Sequence, residues 1–490
     1  MSEKQDFVKQ LFTGTVYTAI AKYLSLIVSL VVTAILSRIL LPADFAIVAI
    51  ATVFIGFISL ITGNGLLPAI VQNKDLTNAD IENLYSFTIY IGGVAAVLFI
   101  LLSFCIADFY LESRLLGICQ LLSLNILFSV FNIVPNALFF RNKEFKFVAI
   151  RTIIINTIVG TIAIFSALYG FGIYSLLINP ILGSLLIYLV SFYYKPIAFK
   201  WKPQYVSLKK KVLSFFTYQI LFNILNYSYR NIDKLLIGRY MSMVSLGYYE
   251  KSYRLMMLPL ENISSIINPV LHPMLADYQN NIRFIKGKYI NIISFSAYIG
   301  FVLSAVLFFC SKEVVYILFG PQWAPSVPVF KVFALSIGIQ IIQSAVGAVF
   351  QATNQVRPMC YAGLIVFVTT LFSIVIGLFL GTLVKLAFCI VLSFYLAFFI
   401  YHLALFRYVF KESIAYFFMS LWRPCIIGLI IGMGLYLFDH WFYVESNLLA
   451  LLLKLLVTII IFTILVWFRL AHFPIVLLLK KIVNDKKDNS

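Results

Sequence analysis

The chain has 490 residues, 62% of them hydrophobic and only 11% charged, with a mean hydropathy of +0.99 and a formal net charge of +18. A water-soluble protein of this length needs an extensive charged surface, and this composition does not supply one. The composition fits an all-α protein that crosses a bilayer many times, because a spanning helix satisfies its backbone polar groups internally and needs about 20 apolar residues.

Fourteen stretches are read as spans, at 12–37, 43–68, 84–107, 115–139, 148–169, 173–194, 212–237, 247–273, 289–310, 327–351, 360–380, 383–405, 416–438 and 447–469. The start, MSEKQDFVKQ, mixes charges and leads into no small-residue cleavage site, so the first apolar run is expected to stay as a helix. Basic residues alternate with the loops. One side receives Lys4, Lys9, Lys74, Arg141, Lys143, Lys146, Arg151, Lys195, Lys200, Lys202, Lys209, Lys210 and Lys211. It also receives Arg283, Lys286, Lys288, Arg357, Arg407, Lys411, Arg423 and the basic tail. The other side has Arg38, Arg114, Arg239 and Lys312. This bias places both termini in the cytoplasm and agrees with an even number of spans. The positive charge is therefore topological, with contact to anionic lipid, and argues against nucleic acid as a partner.

An internal repeat organises the spans. At a constant offset of 201, Arg38 falls on Arg239, Phe45-Ala46 on Leu246-Gly247, and Pro68 on Pro269. A six-span unit repeated once keeps its orientation, so the halves are expected to be related by an axis along the membrane normal. The expected organisation is an N-terminal six-helix lobe at 1–194, a basic cytoplasmic linker at 195–211, a second six-helix lobe at 212–405, and two extra helices with the tail at 406–490.

Polar residues spaced three and four apart share one helix face. Thr18, Lys22, Ser25, Ser29 and Thr33 form such a stripe in the first span, and Lys22 lies too deep to snorkel easily. Gln219, Asn223, Asn226, Arg230 and Asp233, with Lys234 adjacent, form one in the seventh. Glu250, Arg254, Glu261 and Ser265, with Lys251 beside them, form one in the eighth. Amide stripes follow at Asn125, Ser129, Asn132 and Asn136 and at Ser336, Gln340, Gln343 and Gln351. Ionisable groups in hydrocarbon face a protein interior or a watery cavity. Mutual satisfaction is one reading: Asp233 with Arg230, Glu250 with Arg254, and the amides as helix glue. However, the first, seventh and eighth spans carry five cations against three acids. That excess points to an anionic ligand, since Arg presents a donor fork suited to phosphate oxygens and Lys a compact charge. Lys385 and Lys454 lie near span ends and are expected to snorkel, and Lys331 is expected at the interface.

The six cysteines lie in or beside apolar helices without CxxC spacing, and His272, beside Pro273, is the most interior of four scattered histidines. No nucleotide loop, metal-ligand cluster, nucleophile triad or cofactor motif is visible, and the loops are short. A membrane-bound glycosyltransferase or polymerase, which needs a larger extramembrane domain, is disfavoured.

The segments LSRILLPADFAIVAIATVF, GLLPAIVQNKDLTNADI and RNIDKLLIGRYMSMVSLGYYEKSYRLMMLP resemble the polysaccharide (Wzx-type) flippases of the multidrug/oligosaccharidyl-lipid/polysaccharide exporter superfamily, in the exopolysaccharide or O-antigen branch. The likeness covers nearly the whole chain. It implies movement of an undecaprenyl-pyrophosphate-linked oligosaccharide from the cytoplasmic to the periplasmic leaflet of a bacterial inner membrane, by alternating access of a central cavity between two lobes. The cation role in the family maps onto Lys22, Arg230 and Arg254; few cations occur in the second span, where some relatives place one. The expected substrate-binding set is Lys22, Arg230, Lys234, Lys251, Arg254, Ser25, Asn223 and Asn226, with Asp233, Glu250 and Glu261 as candidate coupling-ion residues. The expected partners are the lipid-linked oligosaccharide, membrane lipids and a polysaccharide polymerase, and the expected state is a monomer. A lipid II flippase would use similar cationic chemistry. A multidrug or cation antiporter of the same superfamily would favour acidic cavity residues instead.

Overall fold

Long apolar runs have one low-energy conformation in a bilayer, and every regular element among the described residues is helical. The computed structural model describes residues 2–63, 66–73, 75–204, 210–276, 278–279 and 281–468. Its side chains are described except at 2–16, 63, 68–69, 72, 210–222, 266–270, 272–274, 276 and 416. Gln219, Pro68, Pro269 and His272 of the sequence reading lie outside the described side chains.

The chain divides into two compact units, Met1–Tyr227 with Lys234–Gly247, and Ser228–Asp233 with Tyr248–Ser490. The first contains α1 (Ser2–Ile39), α2 (Pro42–Gly63), α3 (Leu66–Gln72), α4 (Asn78–Tyr110), α5 (Arg114–Phe131), α6 (Ile133–Arg141), α7 (Phe145–Leu168), α8 (Ser175–Tyr194) and most of α9 (Lys210–Tyr240). The helix α10 (Met243–Ala276) enters the second unit at Tyr248. That unit continues with α11 (Ile282–Phe309), α12 (Ser311–Leu318), α13 (Ser326–Ala334), α14 (Ile337–Gln343) and α15 (Val346–Ala352). It ends with α16 (Val356–Phe379), α17 (Leu383–Ala404), α18 (Ala415–Trp441) and α19 (Asn447–Trp467).

Eleven spans among the described residues are long and apolar enough to cross a membrane, and the bent pair Ser326–Ala334 and Ile337–Ala352, with 47° between its halves, makes twelve. The sequence expectation was fourteen. The seventh and eighth expected spans fall on α9 and α10, of 31 and 34 residues, parts of which lie outside the described side chains.

The repeat has a structural counterpart. Helix α1 ends at Ile39 and α9 at Tyr240, while α2 begins at Pro42 and α10 at Met243, so both corners are separated by the same 201 residues. The two corners meet inside the first unit. A Cβ on Gly247 would stand 2.1 Å from the Pro42 carbonyl oxygen, and the Tyr110 hydroxyl donates to the Leu235 carbonyl at 3.1 Å.

In the first unit α1 packs along α7, α7 on α8, and α5 on α2, α4 and α8. Val32, Leu36 and Leu40 close on Ala163 and Ala167, where small residues on α7 admit the bulk of α1. Helix α4 starts at a capping box, with Thr77 and Asp80 each satisfying the other's backbone N–H. It stops at Leu111, which takes the left-handed conformation at φ 53°. Beyond it, Arg114 binds Glu112 through Nε at 2.8 Å and reaches Asp44 at 3.5 Å. Hydrogen bonds from Arg114 hold the Glu112 carboxyl below the usual carboxylate range. In the second unit α11 packs on α14 and α18, α16 on α17, and α19 on α12 and α18. Gly300 and Gly338 let α11 and α14 approach backbone to backbone; a Cβ on Gly300 would stand 2.9 Å from the Gly338 Cα.

Candidate functional site

The first-unit residues of the expected site lie on α1 and α9. Thr18, Lys22 and Ser29 are exposed, and Ser25 and Thr33 are half-buried, so the α1 stripe is an open polar face. Among the described residues the Ser25 hydroxyl oxygen is buried without a hydrogen-bond partner. Asn223, Asn226 and Lys234 are half-buried on α9. Next to them, Tyr227 donates to the Val53 carbonyl at 2.8 Å and sets its ring edge-on to Phe57 at 4.8 Å, which fixes that part of α9 on α2.

The second unit gathers the charges of α9 and α10. Asp233 is buried and accepts a hydrogen bond from the Tyr249 hydroxyl. Tyr249 stacks on Tyr253 at 5.9 Å, and Phe333 closes on both rings from 5.4 and 5.7 Å. The Arg230 guanidinium lies 5.7 Å from the Tyr229 ring centroid and 3.9 Å from the Met257 sulfur, with Tyr253 and Tyr401 in electrostatic range. Among the described residues its Nε is buried without a hydrogen-bond partner. Arg230 and Asp233 therefore converge on one tyrosine cluster, where the Tyr249 phenol is a partner of Asp233.

Helix α10 divides its charges between two sides. Lys251 is buried, with Nζ 4.8 Å from the Phe319 ring centroid and 5.3 Å from that of Trp323, a cation–π cage. Arg254 is exposed and pairs with Glu261 at 3.8 Å, both side chains about half exposed. Glu250, expected beside Arg254, is half-buried. An ion pair this open contributes little to stability, so Arg254 is available to a competing anion.

The amide stripes work mainly as helix glue. Asn125 donates to the Pro180 carbonyl at 2.7 Å, and Gln340 donates to Ser336 at 2.9 Å beside the break between α13 and α14. Asn136 accepts from Arg151 at 2.9 Å. Arg151, counted in the sequence with the basic loops, is a buried helix residue. It also donates to Ser191, sits over Phe139 at 5.6 Å and over Phe147 at 5.9 Å, and has no hydrogen-bond partner for its Nε among the described residues.

Lys454 corrects the snorkelling expectation. It is buried on α19, donates to the Phe309 carbonyl at 2.9 Å, and pairs with Glu313 at 2.8 Å and Asp439 at 2.8 Å. Three ionisable groups at the same ends of neighbouring spans were the available signal. Lys331 sits over the Phe308 ring at 4.7 Å, and Lys385 is exposed in the first turn of α17.

The family model for polysaccharide biosynthesis proteins matches residues 35–328. The chain belongs to that family. It is 25% identical over 445 residues to the teichuronic acid biosynthesis protein TuaB of Bacillus subtilis (strain 168), covering 87% of this chain and 88% of the relative. It is 23% identical over 353 residues to the lipopolysaccharide biosynthesis protein WzxC of Escherichia coli (strain K12), covering 70% of each. Its fold is similar to that of the lipid II flippase MurJ in an inward closed conformation, with a TM-score of 0.74 at 15% identity over 92% of this chain and 98% of that one. The chain is thus a multi-spanning member of the polysaccharide biosynthesis family with a fold similar to that of MurJ.

Proposed function

We propose that this transporter moves an undecaprenyl-pyrophosphate-linked oligosaccharide from the cytoplasmic to the periplasmic leaflet of a bacterial inner membrane, both termini being cytoplasmic. A sugar head group cannot cross hydrocarbon without hydrogen-bonding partners. The observation that carries the reading is exposed cationic side chains in each unit of a polysaccharide-family chain: in the first, Lys22 is exposed within a polar stripe, and in the second, Arg254 is exposed in a loose pair with Glu261. In this proposal Lys22, Arg230 and Arg254 hold the pyrophosphate, Ser25, Asn223, Asn226 and Lys234 serve the first sugars, and Lys251 adds its charge from its aromatic cage.

Transport by alternating access needs a ligand that binds the two states differently. We assign that to the pyrophosphate, with Asp233, Glu250 or Glu261 taking a coupling proton or cation. The unit then passes to a polysaccharide polymerase, and the transporter works as a monomer. The test is Lys22→Gln and Arg254→Gln, scored for surface polymer and for protein in the membrane. Loss of polymer at normal protein level is the expected result, and normal export by both variants overturns the assignment.

A further inference from the structure

Helices α2 and α4 leave a groove of about 430 Å³ between them, lined by Ile58, Ile61, Val94, Ala95, Leu98 and Phe99 among others. Phe99 and Ala95 form its buried floor, and Ile61, Val94 and Leu98 stand exposed on its walls. Its two polar lining side chains are already satisfied. Thr62 donates to the Ile58 carbonyl at 2.9 Å, and Tyr90 donates to the Trp201 carbonyl at 2.9 Å. The groove therefore offers hydrocarbon contact and nothing to a polar ligand.

The mouth is different. The loop after α8 lies on the first part of α4. The Lys200 backbone N–H donates to Ser86 at 2.7 Å, its Nζ pairs with Glu82 at 3.0 Å, and the Gln204 N–H donates to Asn83 at 3.2 Å. Phe199 packs on Tyr90 at 5.7 Å and on Trp201 at 5.3 Å. Trp201 and Lys202 are exposed, and among the described residues Lys202 has no carboxylate partner. An exposed tryptophan beside lysines at the end of a spanning helix is the arrangement of a membrane interface. From Tyr90 to Leu102 the groove follows α4 for about 18 Å at 1.5 Å per residue, slightly more than one leaflet of a hydrocarbon core about 30 Å thick.

We propose that this groove binds one acyl chain of an anionic diacyl phospholipid from the leaflet bordering the basic loops, with its phosphate at Lys202 and Trp201. Charge complementarity selects the occupant: an exposed lysine at the mouth, with no carboxylate partner among the described residues, favours an anionic head over a zwitterionic one by about fivefold. The site does not depend on the assignment of the transported substrate.

The test reconstitutes the full chain into vesicles carrying phosphatidylglycerol or phosphatidylcholine with a photoreactive group on the acyl chain, and maps the labelled peptides. Label on residues 90–102 is expected to be about fivefold higher from phosphatidylglycerol. Lys202→Ala brings the two lipids level, and Ala95→Trp, which fills the floor, cuts the label several-fold while label on the lipid-exposed face of α16 stays unchanged. Equal labelling by both lipids in the unmodified protein, or label on 90–102 that survives Ala95→Trp, overturns the proposal and leaves only bulk lipid. Displacement of phosphatidylglycerol by polyprenyl phosphate at equal mole fraction also overturns it, because the groove then belongs to a polyprenyl tail.

Discussion

Gly247 lies directly against the backbone of Pro42, with a substituted Cβ falling 2.1 Å from the Pro42 carbonyl oxygen and 2.6 Å from its carbon. This is where the two repeat-related corners meet, Ile39–Pro42 from the first half and Tyr240–Met243 from the second. The obstructing atoms are backbone, so no rotamer change relieves the overlap. Gly247→Ala is expected to destabilise the protein by about 1–3 kcal/mol through overpacking, read as a lower melting temperature in detergent. Gly93→Ala, whose added methyl meets nothing within 4 Å, is the control. It is expected to be neutral or to stabilise α4 by about 0.5–1 kcal/mol. Equal melting temperatures for the two variants would contradict the close approach.

Lys454 is held between Glu313 and Asp439. Lys454→Met removes the cation of this group and leaves the Glu313 carboxylate buried without it, while the Asp439 side chain is partly open to its surroundings, a loss expected to be about 3 kcal/mol. Adding Glu313→Gln and Asp439→Asn removes the stranded charge and is expected to recover most of that loss. Thermal unfolding of the single and triple variants decides the point; a triple variant no better than the single would show that the charges are not coupled.

Arg151 joins α6, α7 and α8 by donating to Asn136 and Ser191 from one guanidinium. Lysine cannot serve both acceptors with the same fork. Arg151→Ala leaves the two acceptors unserved and is expected to cost about 1–3 kcal/mol, with Arg151→Lys intermediate. A melting temperature for Arg151→Lys equal to that of the unmodified protein would count against the bridging role.

Much of the fold was legible because hydrophobic length and repeat spacing are local signals. The Arg38–Arg239 match anticipated the common offset of the α1 and α9 ends. The site was less legible, because its environment comes from distant residues. Lys454 resembled a snorkelling lysine because the partner that buries it, Glu313, lies 141 residues away. Lys251 shares a short segment with Arg254, yet Phe319 and Trp323 enclose one while the other stays open. The Tyr249 hydroxyl on α10 reaches Asp233 across the α9–α10 turn, a contact that periodicity within one helix does not display. Arg151 fell near a predicted span boundary, and only the packing of Phe139, Phe147 and Ser191 around it reveals a buried residue.

An exposed pair such as Arg254–Glu261 is screened and weak. Glu261→Gln is therefore expected to leave the stability within about 0.5 kcal/mol of the parent while preserving protein level. If Arg254 holds the pyrophosphate, releasing it from Glu261 is expected to maintain or increase polymer export. Loss of export in Glu261→Gln would instead assign the carboxylate to the coupling step.

The most direct test of the account is the composition of lipid intermediates in cells with and without this gene. Extracted lipids are examined by mass spectrometry for undecaprenyl-pyrophosphate-linked oligosaccharide, alongside surface polymer. The account predicts that a complete lipid-linked unit accumulates and surface polymer is lost when the gene is absent. Unchanged lipid intermediates with altered sensitivity to cationic drugs would contradict it and favour an antiporter.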